Sequence, residues 1–391
     1  MRTSMRHKGS ITLLALVAAL LLVSAAFAQS GHVLNGVSAI DQGMAGAGMA
    51  APSDPSATLH WNPAAVTALD RTALSFGAQV LFPSTTLTSQ VDQGAFGPQF
   101  PPTSLTGVSE SNAGPFPIPA AAYVNAGAQK SFAWGLSAFG VGGFGVDYQL
   151  DPTNPILTPQ APMGMGFGAV TSQFSMLQMA PTLAYRVSNV VSVGVAPTVN
   201  FGQLEVTPFP ATFPDDANGD GFGTYPGAPT ESSIGYGVQA GIHAQDLSGF
   251  NLGASFKSTQ YFSDFEFTSE DEVGGTRSFA FDLDYPMIIS GAVAYTGFNR
   301  LVISGDVRYI DFENTNGFET VGFDNTGAML GFGWESIFVY AAGLEYQLTD
   351  KMPVRLGYSF NDNPISDAHC FYNISSPAIV QNRIDEANDW L

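Results

Sequence analysis

Few residues of this 391-residue chain have the type and spacing that chemistry requires. Asp216-Ala217-Asn218-Gly219-Asp220-Gly221 sets oxygen-bearing side chains at alternate positions ahead of a glycine, as a calcium loop begins. Such a loop closes on a glutamate at its twelfth position, and Gly227 stands there. A solvated turn is therefore the first reading and a weak external Ca²⁺ site the second. The histidines (His7, His32, His60, His243, His369) are scattered, and neither G-x-S-x-G nor H-E-x-x-H occurs. Cys370 is the only cysteine, which excludes an intramolecular disulfide and a cysteine metal cluster. Asp306 and Arg308 share one strand face and read as an ion pair stiffening a wall. Arg186, Lys257, Arg308 and Arg355 are unranked candidates to meet a carboxylate. No catalytic set, cofactor motif or metal site emerges, so the expectation is binding or passage, not enzymology.

The elements that must position these residues belong to an unusual composition. Only 12% of residues are charged, while Gly reaches 43 and Phe 30; soluble domains carry roughly 25% charged residues. Arg2, Arg6 and Lys8 precede an apolar run from Ile11 to Phe27 that ends on Ala26-Phe27-Ala28, the pattern of a signal peptide over residues 1–28. Its removal leaves ten basic against 33 acidic residues, a net charge of −23 that would repel nucleic acid. No later stretch holds the roughly 20 unbroken apolar residues of a membrane helix. Backbone in lipid must satisfy its own hydrogen bonds, as helices or as a closed barrel, so an apolar, Gly-rich chain without helical spans points to the barrel.

Alternation supports that choice. Ile234, Tyr236, Val238, Ala240 and Ile242 alternate with Gly235, Gly237, Gln239, Gly241 and His243. Leu74 to Phe82, Phe132 to Ala138 and Leu177 to Val187 behave alike, with further runs near 120–129, 190–206, 250–262, 286–295, 300–312, 337–348 and 352–361. Each run has one apolar and one small or polar face. About eleven strands are expected, joined alternately by short turns and by long Pro/Gly/Asp-rich segments at 83–118, 147–173, 207–231 and 313–336. Short inner turns and long outer loops are the habit of membrane barrels. Two regions resist this scheme: residues 29–70 are rich in Gly and Ala, and Gly140, Gly142, Gly143 and Gly145 interrupt the third strand, permitting a bulge or kink.

The segment 43–69 carries Gly43-Met44-Ala45-Gly46-Ala47-Gly48, then Asp54-Pro55-Ser56-Ala57-Thr58, then Trp61-Asn62-Pro63-Ala64. This ordered set, ahead of a barrel pattern, resembles the N-terminal region of the FadL/TodX family of outer-membrane transporters for hydrophobic compounds. Leu301 to Phe312 and Val354 to Ile365 add to the resemblance, which spans roughly 29–380. It implies an all-β, 14-stranded antiparallel transmembrane barrel (about 11 strands present here) over 71–391, with residues 29–70 as a hatch inside the lumen. It implies passive uptake of long-chain fatty acids or other hydrophobic molecules, with exit through a lateral gap at the kinked third strand. By position, Asn62, Pro63 and Ala64 match the hatch triplet, and Gly140 to Gly145 lie where the kink belongs. The implied setting is the outer membrane of a Gram-negative cell, as a monomer in lipid inserted by the outer-membrane assembly machinery. The alternative is a structural or adhesive barrel whose loops bind a partner. The final residues, Asp385 to Leu391, lack the amphipathic, aromatic-ended strand expected of a complete barrel, so a truncated reading is expected.

Overall fold

The computed structural model describes residues 30–91, 105–127, 131–366 and 369; the leader and the C-terminal residues discussed above lie outside this set. Among the described residues no helix is long and apolar enough to cross a membrane. The chain opens with two short helices, α1 (Ala39–Gly43) and α2 (Pro55–Trp61), and a 3-10 turn (Pro63–Ala68). Eleven long strands follow in an antiparallel meander: β1 (Ala73–Leu81), β4 (Phe116–Asn125), β5 (Phe132–Tyr148), β6 (Val170–Arg186), β7 (Val191–Thr207), β8 (Ala228–Leu247), β9 (Phe250–Lys257), β13 (Met287–Phe298), β14 (Leu301–Asp311), β15 (Ile337–Thr349) and β16 (Met352–Asn361). Each strand pairs with its neighbours in that order, and no ladder joins β1 to β16 among the described residues. Shorter pieces stand beyond the meander: a hairpin of β2 (Thr86–Val91) with β3 (Leu105–Glu110), β10 (Tyr261–Phe262) on β8, and a hairpin of β11 (Phe265–Glu270) with β12 (Thr276–Phe281).

The two faces of the meander are inverted relative to a soluble protein. Leu136, Ile234 and Tyr358 are 55%, 46% and 48% exposed, whereas Asn200, Gln239 and Arg308 are 0%, 2% and 3% exposed. Strands β5 to β8 run 17 to 20 residues, enough for a tilted crossing, which needs about 9–11. An apolar belt facing outward and a polar face turned inward is the arrangement of an outer-membrane barrel.

Turns at one end are tight. Asp246, Ser248 and Gly249 take positive φ between β8 and β9, as does Arg300 between β13 and β14. The opposite end carries the long connections, external in this class. The alternation pattern extended β9 to residue 262; the strand stops at Lys257, and residues 258–286 rise into the β10 piece and the β11–β12 hairpin. The segment 83–118, read as a loop, likewise contains β2 and β3.

The glycine stretch also behaves differently from an interruption. β5 keeps its ladder with β6 from Phe132 to Tyr148, with one shift in register between Gly140 and Gly142. It is the other edge that opens. β4 pairs with β5 only from Ala120–Phe139 to Asn125–Trp134, although β4 stays on β1 up to Phe116. Pro117 and Pro119 explain this. Alternate residues of a strand present their N–H groups to the same neighbour, and proline has none. Since the β1 ladder persists through both, the missing donors are those directed at β5.

Candidate functional site

Local rules shape residues 30–70, the segment expected to form the hatch and so called below. Asp54 caps α2, its Oδ1 accepting from Ser56 N at 2.8 Å and Ala57 N at 3.3 Å, with Pro55 at the first helical position. Asn62 ends α2, donating its N–H to Thr58 O at 3.0 Å, and starts the 3-10 turn by accepting from Ala64 N at 3.0 Å through Oδ1. Pro63 again follows a cap. The triplet Asn62-Pro63-Ala64 is thus a hinge between two short helices.

It also fastens the hatch to the wall. Asn62 Nδ2 donates to Ile242 O at 3.0 Å and reaches Ala254 O at 3.4 Å, carbonyls of adjacent strands β8 and β9. A Cβ on Gly241 would overlap the Asn62 amide, and one on Gly194 would overlap the Pro63–Ala64 backbone. Glycine on the inner face of β7 and β8 therefore supplies the depth into which the triplet sinks. Gln239 Nε2 donates to both His60 O and Trp61 O at 3.0 Å, and Arg186 donates to Thr67 O.

Asp306 and Arg308 do pair, at 3.5 Å and fully buried, but their further bonds run to the hatch. Asp306 Oδ2 accepts from Gly48 N at 3.3 Å and Met49 N at 3.2 Å, and Arg308 donates to Gly46 O. The Arg308 guanidinium lies 3.7 Å over the Trp61 ring, whose Nε1 donates to both Asp41 oxygens at 2.9 Å. Burial pushes the Asp41 carboxyl up to about 7, against these hydrogen bonds and the Arg308 charge. Arg355 pairs with Glu345 at 2.7 Å across β15 and β16. Lys257 donates to Gln178 Oε1 at 3.1 Å and, among the described residues, has no carboxylate within ion-pair distance. Gln178 continues to Asn200 Oδ1 at 2.8 Å.

Residues 32–34 meet β5 just past its register shift. Leu34 N donates to Val141 O at 3.2 Å and Gly143 N donates to His32 O at 3.0 Å, so residues 32–34 take up the β5 edge that β4 relinquishes. Gly142 accommodates this close approach, since a Cβ there would press on His32 O. Higher on the same edge Asp147 is served by Ser111 and Asn112, and the Phe116 ring covers Gly145. The His32 imidazole sits within 6 Å of the rings of Phe174, Tyr285, Phe312, Phe318 and Trp334. Neither ring nitrogen has a hydrogen-bond partner, and burial lowers its pKa to about 3. Stepwise ring contacts lead from this box outward: Phe318 to Phe332 (5.7 Å), Phe332 to Phe281 (6.2 Å), Phe281 to Phe209 (5.5 Å). Of these, Phe209, Phe281 and Phe332 line a narrow apolar crevice of about 10 Å³ together with Phe144, Leu283 and Met329.

On the other side of the hatch a cavity of about 250 Å³ is lined by Asp41, His243, Asn251 and Glu345 among others. The Asp216–Gly221 turn is exposed, and Asp216, Asn218 and Asp220 each accept a backbone N–H of their own turn. No group of three or more metal-ligating residues occurs among the described residues.

The structure thus joins Asn62, Pro63 and Ala64 to β7–β9 and Gly142 and Gly143 to residues 32–34, whereas Gly140 and Gly145 lie against Ile118 and Phe116 of β4. Sequence reasoning missed His32 and its aromatic box, which no pattern marks. The Gly194 and Gly241 cradle had a signal in the small residues on the polar strand faces.

Solved structures share this fold. The P. putida toluene transporter TodX superposes with a TM-score of 0.60 at 18% identity, over 84% of each chain. The Ralstonia pickettii toluene transporter TbuX gives 0.61 at 18%, over 84% of this chain and 87% of that one. A Pseudomonas aeruginosa FadL homologue gives 0.60 at 16%, over 90% and 84%. No curated protein matches. The model of the outer membrane protein transport family (OMPP1/FadL/TodX) matches residues 20–377, and with that match the chain belongs to this family of outer-membrane β-barrels that carry hydrophobic compounds.

Proposed function

We propose that the chain admits long-chain fatty acids passively, through an external aromatic pocket, displacement of the hatch tip, and lateral exit at the kinked third strand. The observation that carries this reading is the divided edge of β5: its ladder to β4 ends at Phe139, and Val141 and Gly143 are held by hatch residues 32–34 instead. Withdrawal of the tip uncovers a wall opening that continues the ring series from Phe209 to Phe318. The cavity on the short-turn side offers a poorer exit, because an apolar guest there would desolvate Asp41, His243 and Glu345. Asn62, Pro63 and Ala64 hold the hatch base while the tip moves; Gly140, Gly142, Gly143 and Gly145 let β5 bulge and admit the tip.

Structures of similar fold include toluene transporters and a monoaromatic hydrocarbon channel, which makes an aromatic hydrocarbon the competing cargo. Lys257 favours a carboxylate: a buried ammonium among neutral amides is a costly arrangement that an anionic head would relieve. The test is uptake of labelled oleate and labelled toluene by cells lacking their own carriers. Wild-type chain is expected to raise oleate uptake, and Asn62→Ala and a deletion of residues 29–66 to change it. Equal uptake in all three strains would remove the hatch mechanism, and uptake of toluene alone would replace the cargo.

A further inference from the structure

The sequence places Gln29 directly after Ala26-Phe27-Ala28, so cleavage behind Ala28 makes glutamine the first residue of the mature chain. Ser30, one peptide bond further on, is 1% exposed. Its carbonyl accepts from Val33 N at 3.2 Å. Its hydroxyl donates to Asn35 Oδ1 at 2.9 Å and reaches Asn361 Oδ1, at the end of β16, at 3.5 Å. Gly31 turns the chain at a φ of 61°, so close to Trp334 and Phe312 that a Cβ would overlap both rings. A retained leader would bring the apolar run Ile11 to Phe27 into the same crowded space. The seat of Ser30 therefore favours its removal.

Removal creates a problem of charge. A new α-amine, with a pKa of about 8 in water, is mostly protonated at neutral pH. Here it begins a tight turn whose neighbours are the carboxamides of Asn35 and Asn361 and the rings of Phe312 and Trp334. The same turn buries the His32 imidazole, whose pKa falls to about 3, so the surroundings already refuse one positive charge. An ammonium drawn from water into rings and amides carries the same kind of cost. Glutamine at a chain terminus can shed that charge unaided. The lone pair of its neutral α-nitrogen attacks the side-chain Cδ of the same residue. A new N–Cδ bond closes the pyrrolidone ring and the Cδ–Nε2 bond breaks. One amine hydrogen leaves with Nε2 as ammonia, and nothing is oxidised or reduced.

We propose that Gln29 of the mature chain is a modification site, closed to pyroglutamate, and that the uncharged terminus lets residues 30–34 seat among the rings beside β5. The modification concerns the resting tip and is independent of which cargo passes. Cyclisation needs no enzyme and no second substrate, so it can follow leader removal at any time before or during seating.

The experiment expresses the full precursor in a Gram-negative host. Outer membranes are dissolved at lysis in guanidinium chloride and their free amines dimethylated at once, so that no lactam can form in later handling. Trypsin then releases the terminus on one peptide ending at Arg71, since no Lys or Arg lies between Gln29 and Arg71. The expected peptide, 29–71, carries no dimethyl label and is lighter than its unmodified sequence by one ammonia. A dimethylated Gln29, or a chain beginning at any other residue, overturns the modification. The second measurement is hydrogen exchange of residues 31–36 in the folded chain in lipid nanodiscs. Gln29→Asn keeps a carboxamide but is one methylene too short to close the ring, so its amine persists. Exchange there should be about tenfold faster than in wild type, as burial of an unpaired charge implies. Equal exchange in the two proteins would overturn the role given to the lost charge.

Discussion

The hatch is held at two places by opposite means. At its base, Asn62 spends every polar atom of its side chain on backbone partners, Trp61 and Arg308 stack over a buried carboxylate, and glycines in the wall are hollowed to receive the turn. At its tip, two backbone hydrogen bonds reach β5, while the His32 side chain makes none and sits within 6 Å of five aromatic rings. Dispersion and apolar burial are non-directional, so a hydrocarbon guest can substitute for the imidazole at little loss. Buried hydrogen bonds and ion pairs have no such substitute. This contrast in side-chain anchoring is what supports the proposal that the base stays while the tip moves.

The strongest blow to the contrast is Arg308→Met. It leaves Asp306 and Asp41 buried without their cation, which costs about 3–5 kcal/mol when a buried pair loses one member. Thermolysin should then cut residues 30–70 far faster than in wild type; unchanged protection would show the base is held elsewhere. Asn62→Ala should free the base by about 1–3 kcal/mol, since the β8 and β9 carbonyls lose their donor, and Gly241→Val should reproduce it by crowding. His32→Phe ought to sharpen the difference. It keeps a ring in the box without two unpartnered nitrogens, so tip stability should hold or rise by less than about 1 kcal/mol while uptake slows. A faster uptake rate would contradict a displaceable tip.

The contrast extends to pH, where the sign differs between the ends. Seated His32 titrates near 3 against 6.5 when free, so the free tip binds protons first and seating weakens as pH falls below about 6.5. Seated Asp41 titrates near 7 against 3.8, so the docked base holds a proton that the released one gives up, and seating weakens as pH rises from about 4 to 7. His60, also lowered by burial and by the Lys257 and Arg308 charges, adds an acid limb to the base. Asp41→Asn should therefore flatten only the alkaline limb of base protection, and His32→Phe only the acid limb at the tip, as read by hydrogen exchange of the two segments.

The wall was legible because period-2 alternation and the outward placement of apolar residues are the same physical fact, as the Ile234–His243 run displays. The hatch motif was legible because Asp54-Pro55 and Asn62-Pro63 are capping pairs whose chemistry is local. What escaped were contacts between distant segments. β11 and β12 are six residues each, too short for alternation to separate them from loop. Phe139 was indistinguishable in type from Phe132, yet Phe132 faces out and Phe139 packs on His60 at 6.0 Å. The shift between Gly140 and Gly142 exchanges faces beyond that point, and no local pattern announces it.

Pro117 and Pro119 carry a consequence outside transport. A strand edge left open in a bilayer invites a neighbouring molecule to dock its own strand there, and such docking would lead to fibres or tangled oligomers. The β4 side of this opening has no amide hydrogens to offer at those two positions, and the β5 side is engaged by the tip and by Ser111 and Asn112. A gap in the β4–β5 ladder can thus be carried without recruiting a stranger to mend it.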